Sequence, residues 1–417
     1  MSFSIINSFL GSGRIFKDIR NENNFHKLVK DSLKNKSPNF WGYNKTEGDG
    51  RKMSRLLSQK ELTVKVINSK ILNKDRVKLS KMDSNYIILD GSEMRKPSSE
   101  KMENLMKVRA LKGGYINGYR TLSGILINNN KKPSLLATIP YSSKADDFKS
   151  ENTIAFDLIK NINDSVERNN GIITYLLDSN YDNQKFFDKI ESYGDKYIIR
   201  AQYLKRNVID NRGKTRYLKD LKYRSIGAVE YETLFVSGRK HKNIKAKFSY
   251  ANFTLNNIKM TSVNVKLLKG NGSSLFKKDF YLITNITYSR ASKNRIMKIY
   301  NAYGYRWKIE LVFKFLKSNL GWEKFRLKDY EANKKMIALL FMIAAYLYDV
   351  GKVKIDLKVI EMLAYMGAGK GKITEFYITR GLKTFISMNE TIRYLKENYT
   401  EEEIDEIHKE LEEQRRF

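Results

Sequence analysis

Two short, almost continuously apolar runs, Tyr86–Leu89 and Ile172–Leu177, each break off at an aspartate followed by small polar residues. A strand with one wet face alternates apolar and polar side chains. An unbroken apolar run of this length instead calls for a strand covered on both faces, as in the parallel sheet of an α/β domain.

The neighbouring patterns extend that reading. Tyr119–Ile127 and Ser134–Ile139 read as a hairpin, joined by the polar turn Asn128–Pro133. Ile154, Leu158, Ile159 and Ile162 recur at helical spacing, and a second helix (Gln184–Ser192) leads into a strand at Lys196–Arg200. The order strand, strand, strand, helix, strand, helix, strand predicts a ribonuclease-H-like core, a mixed sheet flanked by helices. Residues 201–275 alternate polar and apolar positions with Gly and Asn punctuation, which predicts an antiparallel β insertion (Val229–Val236, Lys245–Leu255, Ser262–Leu268). Phe280–Thr284 returns as a buried strand, and helices are expected from about 293 onward.

The expected fold class is therefore mixed α/β. The core spans 83–200 and 276–350, the β insertion 201–275, and helical regions occupy 1–82 and 351–417. The first region is basic, and a turn at Gly48-Asp49-Gly50 is expected to precede a helix starting near Arg51. It reads as a DNA-binding module or as a helical cap. In the acid-rich tail, Ile404, Ile407 and Leu411 form a short stripe suited to a partner contact or to a solvated helix.

Charge and composition bound the chemistry. Lys and Arg number 78 against 46 Asp and Glu, a net charge of +32, which favours a polyanionic partner because phosphate neutralisation releases counterions. DNA, ribosomal RNA or an anionic membrane surface would each satisfy that charge. There is no cysteine, and the three histidines, His26, His241 and His408, are far apart in the sequence. Thiolate sites are excluded, and any metal centre must be mostly carboxylate, which points to Mg²⁺ or Mn²⁺. Met1–Phe16 lacks the pattern of a leader peptide. The most apolar run, Met336–Tyr348, is shorter than the roughly 20 residues a bilayer span needs. A cytoplasmic protein without membrane contact is expected.

Asp90 and Asp178 both follow apolar strands, and in open α/β sheets ligands bind just beyond strand ends. Aspartate after a strand is also ordinary turn chemistry. A third acidic group comes from a helix. At about 100° per residue, Tyr303, Arg306, Glu310, Lys314 and Lys317 share one face, opposite Ile309, Leu311, Val312, Phe313, Phe315 and Leu316. Glu310 could complete a three-carboxylate set, with Arg306 and Lys317 able to hold phosphate oxygens. A solvated amphipathic helix with Arg306–Glu310 and Glu310–Lys314 ion pairs would give the same wheel.

Tyr303-x2-Arg306-x3-Glu310-x6-Lys317 resembles the Tyr-Arg-Glu-Lys signature of bacterial insertion-sequence DDE transposases, with every spacing matched. The wording Tyr305-Arg306-Trp307-Lys308-Ile309-Glu310 is similar to that family's, and Leu89-Asp90-Gly91-Ser92 and Leu177-Asp178-Ser179-Asn180-Tyr181 resemble its two Asp motifs. The resemblance spans about 83–350. It implies that Asp90, Asp178 and Glu310 are catalytic metal ligands, and that Tyr303, Arg306 and Lys317, flanked by Trp307 and Lys314, contact DNA.

The implied activity is cut-and-paste transposition. Two Mg²⁺ (or Mn²⁺) ions about 3.5–4 Å apart would activate first water and then the freed 3′-OH. The implied partner is double-stranded DNA, both transposon ends and target, held by a homodimer in a nucleoid-associated complex. Where relatives often carry Arg after the second Asp, Ser179 stands here. No tryptophan lies in the β insertion, the three being Trp41, Trp307 and Trp322. Stacking on a flipped base would therefore fall to Tyr231, Phe235, Tyr250 or Phe253. The competing readings are a domesticated DNA-binding relative, another ribonuclease-H-like nuclease, or a glycosidase-like carboxylate pair. The last would leave the charge of +32 unexplained.

Overall fold

The computed structural model describes residues 16, 18–35, 47–72, 79, 85–128, 132–168, 171–236, 239–269, 272–275, 280–349, 357–368 and 373–406. Trp41, Ile407, His408 and Leu411 lie outside them. The chain divides into two compact units. One comprises 68–93 and 120–313. The other comprises 1–67, 94–119 and 314–417.

The first unit is built on a large mixed sheet. Its strands are β1 (Asn85–Arg95), β2 (Met106–Arg109), β3 (Tyr115–Ile127), β4 (Pro133–Tyr141), β5 (Ile173–Leu177), β6 (Lys196–Arg200), β7 (Asn207–Asp210), β8 (Thr215–Tyr217), β9 (Arg224–Val236), β10 (Arg239–Leu255), β11 (Ile258–Leu268) and β12 (Phe280–Thr284). The sheet order is β2-β3-β1-β5-β6-β12-β11-β10-β7-β8, with β4 on β3 and β9 on β10. β2, with the part of β3 that it pairs, belongs to the second unit.

β1, β5 and β6 pair in parallel, and every residue of β5 is buried, as its unbroken apolar run requires. One face is covered by two helices, α4 (Glu151–Ser165) and α5 (Gln184–Glu191). α4 starts where the Ser150 hydroxyl accepts from the Thr153 amide at 3.1 Å. It buries Ala155, Leu158, Ile159 and Ile162 against a core that includes Ile87, Leu89, Tyr175, Leu177 and Ile199. Asn183 caps α5, whose Phe186, Phe187 and Ile190 are buried.

Within 201–275 the strands β7–β11 pair antiparallel, and β11 pairs with β12 to join them to the rest of the sheet. Tyr250 and Phe253 are buried there, and the Tyr250 hydroxyl accepts from the Ala291 amide at 3.1 Å. They belong to the core, which corrects their candidacy for base stacking. Tyr231 remains half-buried, and the Phe235 side chain lies outside the described part.

The helices are α1 (Ile19–Asn35), α2 (Glu47–Ser58), α3 (Val64–Ile71), α4, α5, α6 (Lys293–Gly304), α7 (Trp307–Asn319), α8 (Tyr330–Tyr348), α9 (Leu357–Met366) and α10 (Glu375–Asn398). In the second unit, the Lys335 ammonium on α8 donates to the carbonyls of Leu57 at 2.7 Å and Gln59 at 3.0 Å, closing the end of α2. Glu390 on α10 pairs with Lys30 at 2.8 Å and with Lys34 on α1. No helix among the described residues is long and apolar enough to cross a membrane.

Three local expectations are corrected. β1 does not end at Asp90 but runs on to Arg95. The Gly48-Asp49-Gly50 turn is instead the first turn of α2, where glycine costs least because the leading amides have no helical acceptors. Leu311, placed on the core face by the wheel, is 63% exposed.

Candidate active site

Strand register brings the two aspartates together. Ile88 pairs with Leu176 in the parallel β1–β5 ladder, so two residues further on stand Asp90, within β1, and Asp178, just past the end of β5. Both lie past the last paired positions of that ladder, where side chains leave the packed layer.

Each aspartate also braces its own turn. Asp90 Oδ1 accepts from the Gly91 amide at 2.8 Å. Asp178 Oδ1 accepts from the Asn180 amide at 2.8 Å and Oδ2 from Asn180 Nδ2 at 3.3 Å, starting the single helical turn Ser179–Tyr181. Turn chemistry and site chemistry therefore coexist in the same carboxylates. Asp182, just beyond, is buried and accepts from the amides of Gln202 at 2.7 Å and Tyr203 at 3.2 Å, and pairs with Arg206 at 2.5 Å. This ties the Asp178 turn to the segment after β6.

Tyr303 and Glu310 stand on separate helices, which corrects the single helix expected from Tyr303 to Lys317. Gly304 closes α6, and the amides of Tyr305 and Arg306 bond three residues back, to Ala302 at 2.9 Å and Tyr303 at 3.0 Å. That tighter turn precedes α7, and glycine is the residue helices favour least after proline. The break leaves Arg306 in the turn before α7, still at i,i+4 reach of Glu310.

Arg306 bridges two of the three carboxylates. Its Nη1 donates to Asp90 Oδ2 at 2.8 Å and its Nη2 to Glu310 Oε1 at 3.3 Å. The Arg306 side chain is 13% exposed, Asp90 18% and Glu310 42%. Burial pushes the Asp90 carboxyl up to about 6; Arg306 opposes this, and the charges of Asp178 and Glu310 add to it. Burial also raises Glu310, against the pull of Arg306. The Arg306 guanidinium, for its part, is held above its usual range by Tyr303, Asp90, Glu310 and Asp178, which outweigh its desolvation.

Tyr303 is buried, with its ring centroid 5.6 Å from that of Phe280. Burial pushes its hydroxyl up to about 12, against Arg306 and Arg200, so it stays protonated at neutral pH. Its burial corrects the polar face on which the helical wheel places it. Trp307 lies under the Arg306 guanidinium, 5.1 Å from its centroid. Two groups had no role assigned from sequence. Tyr181 feels Asp90 and Asp178, and burial raises its hydroxyl far above the usual range. Arg200 ends β6, over the Phe280 ring at 5.0 Å. The only sequence signal for either was position, Tyr181 within the second Asp motif and Arg200 at a strand end.

Lys314 and Lys317 belong to the second unit. Lys314 is exposed. Lys317 pairs with Glu323 at 3.1 Å, which also accepts from the Arg95 amide at 3.1 Å.

Among the described residues, no three carboxylate or imidazole groups are close enough to hold one ion. The donor chemistry nonetheless suits a hard divalent cation: three carboxylates within electrostatic reach of one another, with no sulfur or imidazole among them. At present Arg306 supplies the balancing positive charge.

Residues 81–346 match the model of a family described as the transposase DDE domain. No curated protein matches the chain.

Proposed function

Because this chain belongs to the transposase DDE domain family, enzymes that act on DNA and generally use divalent metals, we propose that Asp90, Asp178 and Glu310 form the catalytic centre of a cut-and-paste transposase. One observation carries this reading: parallel-strand register and the α6–α7 break deliver two aspartates and a glutamate around a single arginine. The spatial order β4-β3-β1-β5-β6 supports a ribonuclease-H-like core, and the Tyr303, Arg306, Glu310 and Lys317 spacing supports the Tyr-Arg-Glu-Lys class.

In this reading Asp90, Asp178 and Glu310 hold two Mg²⁺ or Mn²⁺ ions. When bound, such ions polarise the scissile phosphoryl group and lower the pKa of the attacking water or 3′-OH. The chain's own residues do the rest. Arg306 offers a planar fork that fits phosphate oxygens two at a time. Asp182 fixes the turn that presents Asp178. The buried, protonated Tyr303, packed on Phe280, stands within electrostatic reach of Arg306 as a neutral group rather than a competing charge. Lys314 and Lys317 carry the positive charge of α7 onward, available to the DNA backbone, and Trp307 gives the arginine a surface to rest on.

The substrates are the element's terminal inverted repeats and a target duplex, with the helical N-terminal region assisting end binding. Joining two ends requires two active sites, which predicts a homodimer on DNA. The test is cleavage of a duplex carrying the terminal repeat in Mg²⁺ or Mn²⁺. Wild-type protein is expected to cut at the repeat end and Glu310→Gln not to. Equal cutting by both would refute the assignment, and tight binding without cutting by wild type would favour a domesticated DNA-binding relative.

A further inference from the structure

Arg306 sits where a carboxylate centre most needs positive charge. Its two terminal nitrogens are shared between Asp90 and Glu310, and Asp178 adds its field. Its Nε is buried with no hydrogen-bond partner, an arrangement that is unfavourable in general. The guanidinium therefore satisfies the carboxylates better than they satisfy it.

Charge bookkeeping makes the arrangement exclusive. Three carboxylates and one guanidinium leave a local charge that is still negative, so the centre attracts cations. A divalent ion drawing on Asp90 and Glu310 would meet the guanidinium at close range, and like charges at such distances repel strongly in a partly dry site. Metal and arginine therefore compete for Asp90 Oδ2 and Glu310 Oε1. The same guanidinium, once released, is well formed for a phosphate, and the Trp307 face lies beside it.

We propose that Arg306 is an exchangeable counter-ion. Without metal it partly offsets the charge of Asp90 and Glu310; on metal binding it yields those oxygens and passes to a DNA phosphate. The inference rests on the reading of these carboxylates as a metal centre. It adds that metal and DNA binding are coupled through one side chain, and that coupling is reciprocal by linkage. An active centre built this way binds metal more tightly once a phosphate is there to receive the arginine.

The experiment measures Mn²⁺ binding to the full chain without DNA, from the electron paramagnetic resonance signal of free Mn²⁺. Arg306→Gln is expected to bind Mn²⁺ about tenfold more tightly than wild type, with Arg306→Lys in between because an ammonium cannot fork to both carboxylates. Weaker or equal Mn²⁺ binding by a folded Arg306→Gln overturns the proposal. A second measurement uses the anisotropy of a labelled short duplex with and without Mg²⁺ at constant ionic strength. Mg²⁺ is expected to tighten duplex binding several-fold more for wild type than for Arg306→Gln, and equal tightening overturns the coupling. Glu310→Gln separates the two readings. If it leaves Mn²⁺ binding unchanged, the carboxylate centre itself is wrong and the exchange falls with it. If it weakens Mn²⁺ binding while Arg306→Gln does not strengthen it, the centre stands and the exchange alone fails.

Discussion

The Arg306 guanidinium donates to Asp90 at 2.8 Å across 216 residues of sequence. This contact joins the α6–α7 break to the end of the β1–β5 ladder. Both partners are largely buried, and the same arginine reaches Glu310 one helical turn further on. The site is therefore held together by a cation already in the chain.

The Asp182–Arg206 pair is the main fixed point beside that site. Asp182 is 1% exposed, so Arg206→Met would strand a buried carboxylate, at a cost of about 3–5 kcal/mol. Denaturant midpoints would register this as a large loss. The exposed pair Arg393–Glu397 is the control, and Arg393→Ala is expected to leave the midpoint unchanged. Equal losses from the two variants would contradict the role given to Asp182.

Lys96 gives a pH signature. Its buried ammonium donates to the carbonyls of Glu323 at 2.9 Å and of Phe325, and burial pushes it down to about 7, with Glu323 opposing. An unfolded lysine stays protonated to near its ordinary 10.5. Between these values the unfolded chain binds more protons, so stability rises with pH above 7. The slope from this one group reaches at most about 1.4 kcal/mol per pH unit. Urea midpoints at pH 7, 8 and 9 should climb for wild type and stay flatter for Lys96→Met. Parallel curves for the two proteins would contradict this.

Lys317 tests the DNA face of α7. Lys317→Ala is expected to weaken duplex binding and reduce the log–log salt slope by about one. Because Lys317 pairs with Glu323 at 3.1 Å, Glu323 competes with phosphate for the lysine. Glu323→Gln is therefore expected to tighten duplex binding. An unchanged slope for Lys317→Ala would remove this lysine from the interface.

The sheet was readable because β5 and β6 are short, apolar and buried on both faces, and Lys196–Arg200 and Phe280–Thr284 fall where their patterns place them. The site was readable in its composition but not in its internal contacts. Turn residues mark Asp90 as a strand end, yet β1 continues through Gly91 and Ser92 because β3 lies alongside and Thr121 Oγ1 donates to the Ser92 carbonyl at 3.4 Å. A helical wheel assumes one unbroken helix, so it could not anticipate the turn at Gly304 or the burial of Tyr303, and Leu311 is exposed because it lies at the edge of the wheel's apolar arc. β2 escaped notice because Met106–Arg109 is only four residues long and alternates buried with exposed. The Arg306–Asp90 contact is long-range, and no local pattern encodes it.

The most direct test of the catalytic centre is strand-resolved cleavage of a terminal-repeat duplex in Mg²⁺ by wild type, Asp90→Asn and Asp178→Asn, with duplex affinity measured alongside. Wild type should nick at the repeat end, and each variant should bind the duplex yet leave both strands intact. Undiminished nicking by either variant would contradict the assignment of these aspartates to one active site.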